Sequence, residues 1–380
     1  MINKLSKRNI IMLVLFALLI VFVIVFCVLY NKNIAVKTFA DEYIFKKNIE
    51  EDTLSKIFIN DNSYYYSFND NIVVLNQNVL TFYNRSGSEI SNLEINISEP
   101  IFSSNGKYLC IAEKNGPRAY LINNKNIIWQ KSIDGNISCA CVNKNGYVAV
   151  AISDTTYKTI GKVFNESGAE LFTNYLSKSY IIDLSLSDDN NHLAIAEANF
   201  SGISIQSNIK IISIDKALSN SGDIIEFNYT APSGNFIVNI SYCDNNNLVC
   251  IYDNHVDIIK DNVVNDVSNF ENDNILFADI NNKLIQIEKK NSGLLSSEFE
   301  LQIIDVNSLE KKIYILEKEP KSLNVYGNVI AINFGVEALF INNSSWLIKQ
   351  YKASQEIKDI IISNNLAGII YKDKIEFVNL

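Results

Sequence analysis

The chain is poor in the residues that most often carry chemistry. Its 380 residues include two His, His192 and His255, and two Trp. Two His are too few for a multi-His metal site, and two Trp cannot supply the repeated docking pattern of quinone-cofactor propellers. No Gly-x-Ser-x-Gly segment, the nucleophile signature of α/β-hydrolases, occurs. The sequence therefore predicts no metal, no cofactor and no catalytic residues.

The six Cys give little further chemistry. Cys139 and Cys141 are two residues apart, which places both on one face of a strand and differs from the Cys-x-x-Cys spacing of thioredoxin-like motifs. Cys243 and Cys250 flank the turn DNNN and could meet across a hairpin as a disulfide. The alternative, which we favour, is that they are small buried hydrophobic residues.

One long apolar run stands near the start of the chain. Residues 10–30 carry no charge, Pro or Gly, and about 20 such residues cross a bilayer as a helix. No Ala-x-Ala cleavage pattern follows the run, which favours an uncleaved anchor over a signal peptide. Lys4, Lys7 and Arg8 precede it, and basic residues stay in the cytoplasm. We therefore expect a cytoplasmic tail (1–9), a transmembrane anchor (10–30), a linker (31–53) and a domain outside the cytoplasm, at the cell membrane.

The part of the chain after the apolar run is acidic. Once Lys4, Lys7 and Arg8 are set aside, 30 basic residues face 42 acidic ones, a formal charge of −12. A protein with this charge has no electrostatic footprint for nucleic acid. The sequence therefore predicts a single-pass membrane protein that does not bind nucleic acid.

Segments of one kind recur along the rest of the chain. GKYLCIAEKN (106–115), for example, has counterparts in NHLAIAEA (191–198) and NVIAINFG (328–335), each preceded by a turn of Asn, Asp or Gly. Eight equivalent positions are spaced by 36, 39, 45, 55, 36, 45 and 37 residues: Val73, Leu109, Val148, Leu193, Leu248, Leu284, Val329 and Leu366. Periods in this range are typical of propellers and solenoids.

Each period divides into four short strands, here named a to d. The b strands are continuous apolar runs, which predicts that each sheet is covered on both faces by its neighbours. The last unit has strands a to c only, and the spare strand at 54–60 would complete it and close the ring. We therefore expect an all-β propeller over residues 54–380 with eight four-stranded blades, or seven if residues 243–290 form a single blade.

The segments also resemble known repeats. SSNGKYLCIAE (103–113) is similar to the Ser-Pro-Asp-Gly-Lys-x-Leu-Ala pattern of WD40-like and TolB-type propellers, although the Pro and the terminal Trp-Asp are absent. The whole arrangement of basic tail, apolar run and propeller resembles the membrane-anchored propellers of low-GC Gram-positive bacteria known as DUF5711. That resemblance implies a propeller fold and no particular activity.

The function expected is therefore a non-catalytic binding or scaffold module of the cell envelope. The alternative is an envelope glycan hydrolase or lyase whose carboxylates converge from several blades. The a-to-b turns read as uniformly tight, whereas three b-to-c connections are long, at 153–159, 197–207 and 289–298. Long loops on a rigid scaffold often carry binding. These loops should point away from the membrane and hold a protein partner through five apolar residues, Tyr157, Phe200, Ile203, Ile205 and Leu294.

Overall fold

The protein is an eight-bladed propeller. The computed structural model describes residues 7–32, 36, 40, 48–49, 53–60, 62–220, 222–244, 246–269, 275–291 and 297–380. Within these ranges the strands form eight sheets, each with four antiparallel strands in a, b, c, d order. The predicted count of eight blades is confirmed, and residues 243–290 belong to two blades.

The first four blades are formed by consecutive strands. They are β3 (Ser63–Phe68), β4 (Asn71–Asn76), β5 (Val79–Tyr83) and β6 (Glu89–Glu94) in blade 1; β7 (Pro100–Asn105), β8 (Tyr108–Glu113), β9 (Arg118–Asn123) and β10 (Asn126–Ser132) in blade 2; β11 (Asn136–Val142), β12 (Val148–Ser153), β13 (Thr159–Phe164) and β14 (Glu170–Leu176) in blade 3; β15 (Tyr180–Leu186), β16 (His192–Asn199), β17 (Gln206–Ser213) and β18 (Ile225–Thr230) in blade 4.

The last four blades continue the same pattern. They are β19 (Ile237–Tyr242), β20 (Asn247–Tyr252), β21 (His255–Lys260) and β22 (Val263–Asn269) in blade 5; β23 (Ile275–Ile280), β24 (Leu284–Asn291), β25 (Ser297–Ile304) and β26 (Lys311–Leu316) in blade 6; β27 (Ser322–Tyr326), β28 (Val329–Asn333), β29 (Glu337–Asn342) and β30 (Leu347–Lys352) in blade 7; β31 (Asp359–Ser363), β32 (Leu366–Ile370), β33 (Lys374–Asn379) and β2 (Thr53–Phe58) in blade 8.

Blade 8 combines strands from the beginning and the end of the chain. β2 pairs antiparallel with β33 and places Ile57 opposite Ile375. The predicted closing strand is therefore confirmed, although it covers 53–58 instead of 54–60. A further short strand, β1 (Asn48–Ile49), runs parallel to β30 at the edge of blade 7. Pairing of the two ends removes the open edges that an unclosed ring would expose.

The core lies between neighbouring blades. In β12, Val148 and Val150 pack toward blade 2, whereas Ala149 and Ala151 pack toward blade 4. All four side chains are fully buried, which explains why the b strands are apolar at every position. Burial of a Val side chain contributes about 1.5–3 kcal/mol, and the small Ala side chains allow the sheets to approach one another near the axis.

The antiparallel strands divide the connections between two faces. We name the face with the a-to-b and c-to-d connections the turn face, and the face with the b-to-c and d-to-a connections the loop face. Asn69, Gly106 and Gly327 hold a φ of 53°, 54° and 57° in a-to-b turns, as the Asn and Gly content predicted. The a-to-b turns are not uniformly tight, however. Those at 143–147 and 187–191 are longer, and a hydrogen bond from Asn143 to Asn190 joins them.

The turn face carries one insertion that the sequence analysis missed. The c-to-d connection of blade 4 includes the short helix α2 (Ile214–Ser219). Ser213 caps its N-terminus by accepting a hydrogen bond from the Lys216 amide, and Asn220 ends it with a left-handed backbone (φ 50°). Longer connections therefore occur on both faces. The lengths of the b-to-c loops alone had suggested that they occur only on the loop face.

An N-terminal helix, α1 (Lys7–Lys32), precedes the propeller. Among the described residues, no helix has the length and hydropathy that crossing a membrane requires. Tyr30, near the end of α1, contacts Trp346 edge to face, with ring centroids 5.0 Å apart. Trp346 directly precedes β30, in a c-to-d turn, so α1 meets the propeller on its turn face. Trp346 therefore packs against a helix and is 39% exposed, whereas Trp129 is buried between blades 2 and 3.

The cysteines of the propeller are all free thiols. Cys250 packs between blades 4 and 5, whereas Cys243 packs between blades 5 and 6. These positions are on opposite faces of one sheet, so the disulfide alternative is wrong and core packing is confirmed. Cys139 and Cys141 both pack toward blade 4, and burial raises the pKa of both thiols.

Candidate functional site

The predicted b-to-c loops lie on the loop face, but they are shorter than the sequence indicated. The loop of blade 3 covers 154–158 and that of blade 4 covers 200–205, because β16 and β17 extend further than expected. The loop of blade 6 falls at 292–296, and Leu294 with it lies outside the described residues. Two of the three predicted loops can therefore be placed.

Tyr157 has a partly structural role. Its ring lies 4.7 Å from that of Tyr175, centroid to centroid, and also packs on the core between blades 2 and 3. Asp154 holds the loop by accepting hydrogen bonds from the amides of Thr156 (2.7 Å) and Tyr157 (3.0 Å). The same amides lower the pKa of the Asp154 carboxyl. The loop of blade 3 is therefore a fixed turn that presents one edge of Tyr157.

Phe200 and Ile203 are the most exposed of the predicted contact residues. Phe200 is 47% exposed, and Ile203 is fully exposed at the tip of the loop. Ile205 is half-buried, and its carbonyl accepts a hydrogen bond from the Gly234 amide (3.1 Å). The backbone of Ile205 therefore ties the loop to the d-to-a connection of blade 4, and its role as a contact residue stays a prediction.

Three further aromatic residues join this surface. Phe200 lies between Tyr180 (6.0 Å) and Phe236 (6.1 Å), measured between ring centroids. Tyr175 and Tyr180 are 55% and 40% exposed. We name the five rings the aromatic ridge: Tyr157, Tyr175, Tyr180, Phe200 and Phe236.

The aromatic ridge crosses from blade 3 to blade 5. Lys158 links its two parts, because its ammonium lies 4.7 Å from the Tyr180 ring centroid. Tyr175, Tyr180 and Phe236 belong to strand ends and a d-to-a connection, and the sequence analysis considered only b-to-c loops. The same rule of strand directions places d-to-a connections on the loop face too, so this signal was available. An exposed apolar patch of this kind is typical of a site of protein interaction.

A second concave surface lies on the propeller axis. A cavity of about 680 Å³ is lined by the inner strands of blades 1, 2, 5, 6, 7 and 8. Four tyrosines are part of its wall: Tyr65, Tyr66, Tyr242 and Tyr326. The lining also includes two carboxylates, Asp279 and Asp359, and no Lys, Arg or His. The sequence analysis did not find this site, because its residues come from six different blades.

The inner-strand carboxylates lie in poorly hydrated surroundings. Burial raises the pKa of Asp279 from 3.8 to about 6, although the Ile280 amide donates a hydrogen bond to it. Burial raises the pKa of Asp183 in blade 4 to about 6 as well. Tyr66 is close enough to Asp279 that the carboxylate, together with burial, raises the pKa of its hydroxyl. Polar groups therefore converge on the axis from separate blades.

Neither histidine is part of the lining of this cavity. His192 begins β16 and its Nε2 lies 3.0 Å from Glu226, which also pairs with Lys216. His255 begins β21, where its ring stacks on Tyr252 at 4.2 Å and its Nε2 lies 3.3 Å from Asp257. Within the described ranges, no group of three His, Cys, Asp or Glu side chains is placed to hold a metal ion.

One solved structure supports the propeller fold. The Chaetomium thermophilum Sqt1, bound to the N-terminus of the ribosomal protein L10, aligns with a TM-score of 0.55 and 11% identity over 87% of this chain and all (100%) of that one. At this identity the likeness shows the fold alone. Two further alignments have lower TM-scores and add no argument: BamB from Moraxella catarrhalis, with 0.47 and 9% identity over 86% and 99% of the two chains, and apo AztD from Citrobacter koseri, with 0.49 and 10% over 79% and 88%.

Sequence comparison places the chain in a family. No curated protein matches it significantly. The family DUF5711, described as a family of unknown function, matches residues 42–380. This range includes all eight blades and the closing strand β2, so the match agrees with the fold. The chain therefore belongs to the DUF5711 family.

Proposed function

We propose that the protein is a binding module that holds a partner polypeptide on the aromatic ridge. The observation that carries this proposal is the aromatic ridge, whose rings contact one another in two groups that Lys158 links. Tyr175, Tyr180 and Phe200 are exposed, and Ile203 is fully exposed in the same loop as Phe200. Aromatic residues are enriched at the centres of protein interfaces, because they bury a large area with few rotatable bonds.

The rigidity of the ridge supports the same function. Asn199 accepts hydrogen bonds from the Ser201 amide (2.9 Å) and hydroxyl (2.6 Å), and the hydroxyls of Ser204 and Ser233 lie 2.5 Å apart. The loop of blade 4 is therefore held on both sides before a partner arrives. Preorganisation of this kind reduces the ordering cost of binding.

A crosslinking experiment tests the proposal. A photoreactive amino acid replaces Ile203 in the full chain expressed in its own cells, and the matched control replaces Val336. Val336 is also on the loop face and is 55% exposed, but it lies in blade 7, away from the ridge. We expect a discrete crosslinked protein from position 203 alone. Equal products from both positions, or products that survive Phe200→Ser in the same chain, would place the binding surface elsewhere.

We propose further that the domain is anchored at the cell envelope with the loop face pointing outward. The support is the uncharged run of residues 10–30 with Lys7 and Arg8 before it. The contact of Tyr30 with Trp346 also supports this orientation, because it joins α1 to the turn face. A reporter that is active only outside the cytoplasm should be active when fused after Leu380. Activity of a cytoplasm-specific reporter at the same position would refute this topology.

The glycan hydrolase alternative stays a prediction. The carboxylates that could converge from different blades, as this alternative requires, are Asp279 and Asp359, which line one cavity. A raised carboxyl pKa such as that of Asp279 suits a general acid, but the same feature arises wherever a carboxylate is desolvated. Turnover of cell-wall glycan by the purified full chain, lost in Asp279→Asn, would favour this alternative.

A further inference from the structure

The axial cavity has the composition of a site for a small organic cation. Its lining includes Tyr65, Tyr66, Tyr242 and Tyr326 and, among the described residues, no cationic side chain. The Tyr66 ring stacks on Phe102, with ring centroids 5.1 Å apart and planes 11° apart, and all four tyrosines also pack against the cores between blades. Tyrosines are common where proteins bind organic cations.

Two carboxylates of this cavity each have one oxygen without a protein partner. Oδ1 of Asp279 accepts the Ile280 amide at 2.7 Å. Oδ1 of Asp359 accepts the Ile360 amide at 2.8 Å and the Asn324 side chain at 3.1 Å. In the part of the chain that the structure describes, no donor reaches Oδ2 of either residue. Both side chains are half-buried and neither Oδ2 is cut off from solvent, so both oxygens are accessible to a ligand.

Asp183 shows that the fold itself can satisfy such a group. It is an inner-strand Asp followed by an apolar residue, like the other two, and its Oδ1 accepts the Leu184 amide at 2.9 Å. Its Oδ2 accepts the side chain of Asn239 (3.0 Å) and the amide of Ile240 (2.9 Å) from the next blade. Asp183 is not part of the cavity lining. The unpartnered oxygens therefore occur where the cavity is, and not wherever an inner strand carries Asp.

We propose that the cavity binds an alkylammonium group that donates a hydrogen bond to Oδ2 of Asp279, with Oδ2 of Asp359 as a second acceptor in the same cavity, while its alkyl portion contacts the tyrosines of the lining. This site is separate from the aromatic ridge and extends the proposed function to a second ligand. A metal ion fits less well, because the described residues offer no group of three acidic, His or Cys ligands. A volume of about 680 Å³ also exceeds what a bare ion needs and is in the usual range of small-molecule sites.

The pH dependence of such binding has a definite sign. Burial raises the pKa of Asp279 to about 6, and the groups around it are Tyr66 and the carboxyl of Asp359, with no base in the cavity lining. The carboxyl is therefore ionised at pH 7.5 and becomes neutral as the pH falls through about 6. An ammonium ligand should bind well at pH 7.5 and lose affinity at pH 5.

Calorimetric titration of the full chain at pH 7.5 tests the proposal. The probes are 1,4-diaminobutane, the neutral isostere 1,4-butanediol, and N-acetyl-lysine methylamide, which represents a lysine side chain of a polypeptide. We expect the amines to bind and the diol to give no heat. Binding of both amines indicates a site open to small ligands, whereas binding of the lysine derivative alone identifies a polypeptide side chain as the natural source.

Two variants locate the binding. Asp279→Asn should weaken ammonium binding roughly 10- to 100-fold, because it replaces a charged hydrogen bond by a neutral one. Asp373→Asn makes the same charge change in an exposed loop-face turn and should leave affinity unchanged. Asp359→Asn serves if the first variant fails to fold. Equal binding of the diol, equal loss in Asp373→Asn, or binding of Ca²⁺ in place of the amines would each overturn the proposal.

Discussion

The aromatic ridge and the axial cavity differ in both chemistry and construction. The ridge is aromatic and partly exposed, and loops and strand ends of three neighbouring blades form it. The cavity is concave and polar, and the inner strands of six blades form its wall. An exposed aromatic surface suits a large partner, whereas a concave polar one suits a small ligand. Side chains of the ridge should therefore be replaceable without harm to the fold, whereas residues of the cavity share strands with the core.

The largest effect is expected from deletion of the closing strand β2, which should disrupt the aromatic ridge and the axial cavity together. A chain that begins at residue 61 lacks β2, which leaves the outer edge of β33 unpaired and removes Ile57 from the core between blades 8 and 1. We expect a loss of at least about 3 kcal/mol in the free energy of unfolding, from lost strand hydrogen bonds and apolar burial. Thermal unfolding followed by circular dichroism measures it. A chain that begins at Thr53 is the control, and equal melting of the two would contradict the role of β2 in closure.

A second test compares two inner-strand carboxylates. Asp279→Asn should stabilise the unliganded protein by about 1 kcal/mol at pH 7, after allowance for partial exposure, because it removes an unpartnered charge that burial disfavours. Asp183→Asn should destabilise it, because the new amide group meets the donors of Asn239 and Ile240. Denaturant unfolding measures both. Effects of the same sign would remove the contrast between Asp183 and the cavity carboxylates.

The gain in Asp279→Asn should also depend on pH in one direction. The folded pKa of Asp279 is about 6 and the ordinary value is 3.8. The folded state therefore holds its proton more tightly, and wild-type stability from this group falls as the pH rises from about 4 to 6. The advantage of the variant is full above pH 6 and disappears toward pH 4. An advantage that grows as the pH falls would contradict the raised pKa.

A smaller effect concerns the attachment of α1 to the turn face. Trp346→Ala removes a half-exposed ring that contacts Tyr30, and we expect a cost of about 1 kcal/mol from the lost aromatic pair. Trp129→Ala is the internal comparison and should cost about 3–5 kcal/mol, because that ring is buried between two blades. Thermal unfolding of the two variants ranks them. Equal costs would mean that Trp346 belongs to the core.

The smallest effect on stability belongs to the ridge. The double variant Phe200→Ser and Ile203→Ser changes exposed side chains, so the free energy of unfolding should stay within about 0.5 kcal/mol of the wild type. Phe200→Ser alone should lose the partner in the crosslinking experiment, in which the photoreactive residue occupies position 203, whereas Val336→Ser should retain it. Denaturant unfolding provides the stability value. A large loss of stability would show that the ridge is part of the fold and not a free surface.

The sequence predicted the parts of this fold that repeat locally. Eight apolar b strands, each beginning near an Asn or Gly turn, gave the blade count, and all eight positions from Val73 to Leu366 lie in b strands. The missing fourth strand of the last unit gave the closure by β2. Residues such as Ala149 and Val150 reveal burial on both faces because adjacent positions of a strand point in opposite directions.

The candidate sites were harder to predict from local sequence patterns than the fold was. Phe200 and Ile203 were found because they lie in one long loop, but Tyr175 and Phe236 come from other connections that the fold brings beside them. Tyr157 and Ile205 lie in segments whose sequence predicts exposed loops. Tyr157 nevertheless packs on the core, and the Ile205 carbonyl accepts a backbone hydrogen bond, so both residues also have structural roles. The length of a loop predicts where a partner could bind, but it does not predict which side chains of the loop are exposed to that partner.

The sequence by itself determined the propeller and its closure, because hydrophobic periodicity and turn chemistry act between residues close in the chain. Only the tertiary structure decided that Asp279 and Asp359 share a cavity with four tyrosines, and that Asp183 does not. These residues are equivalent in local pattern, each an Asp before Leu or Ile on an inner strand. What separates them is the neighbouring blade, which offers Asn239 and Ile240 as donors to one carboxylate and leaves an oxygen of each of the others facing the axis.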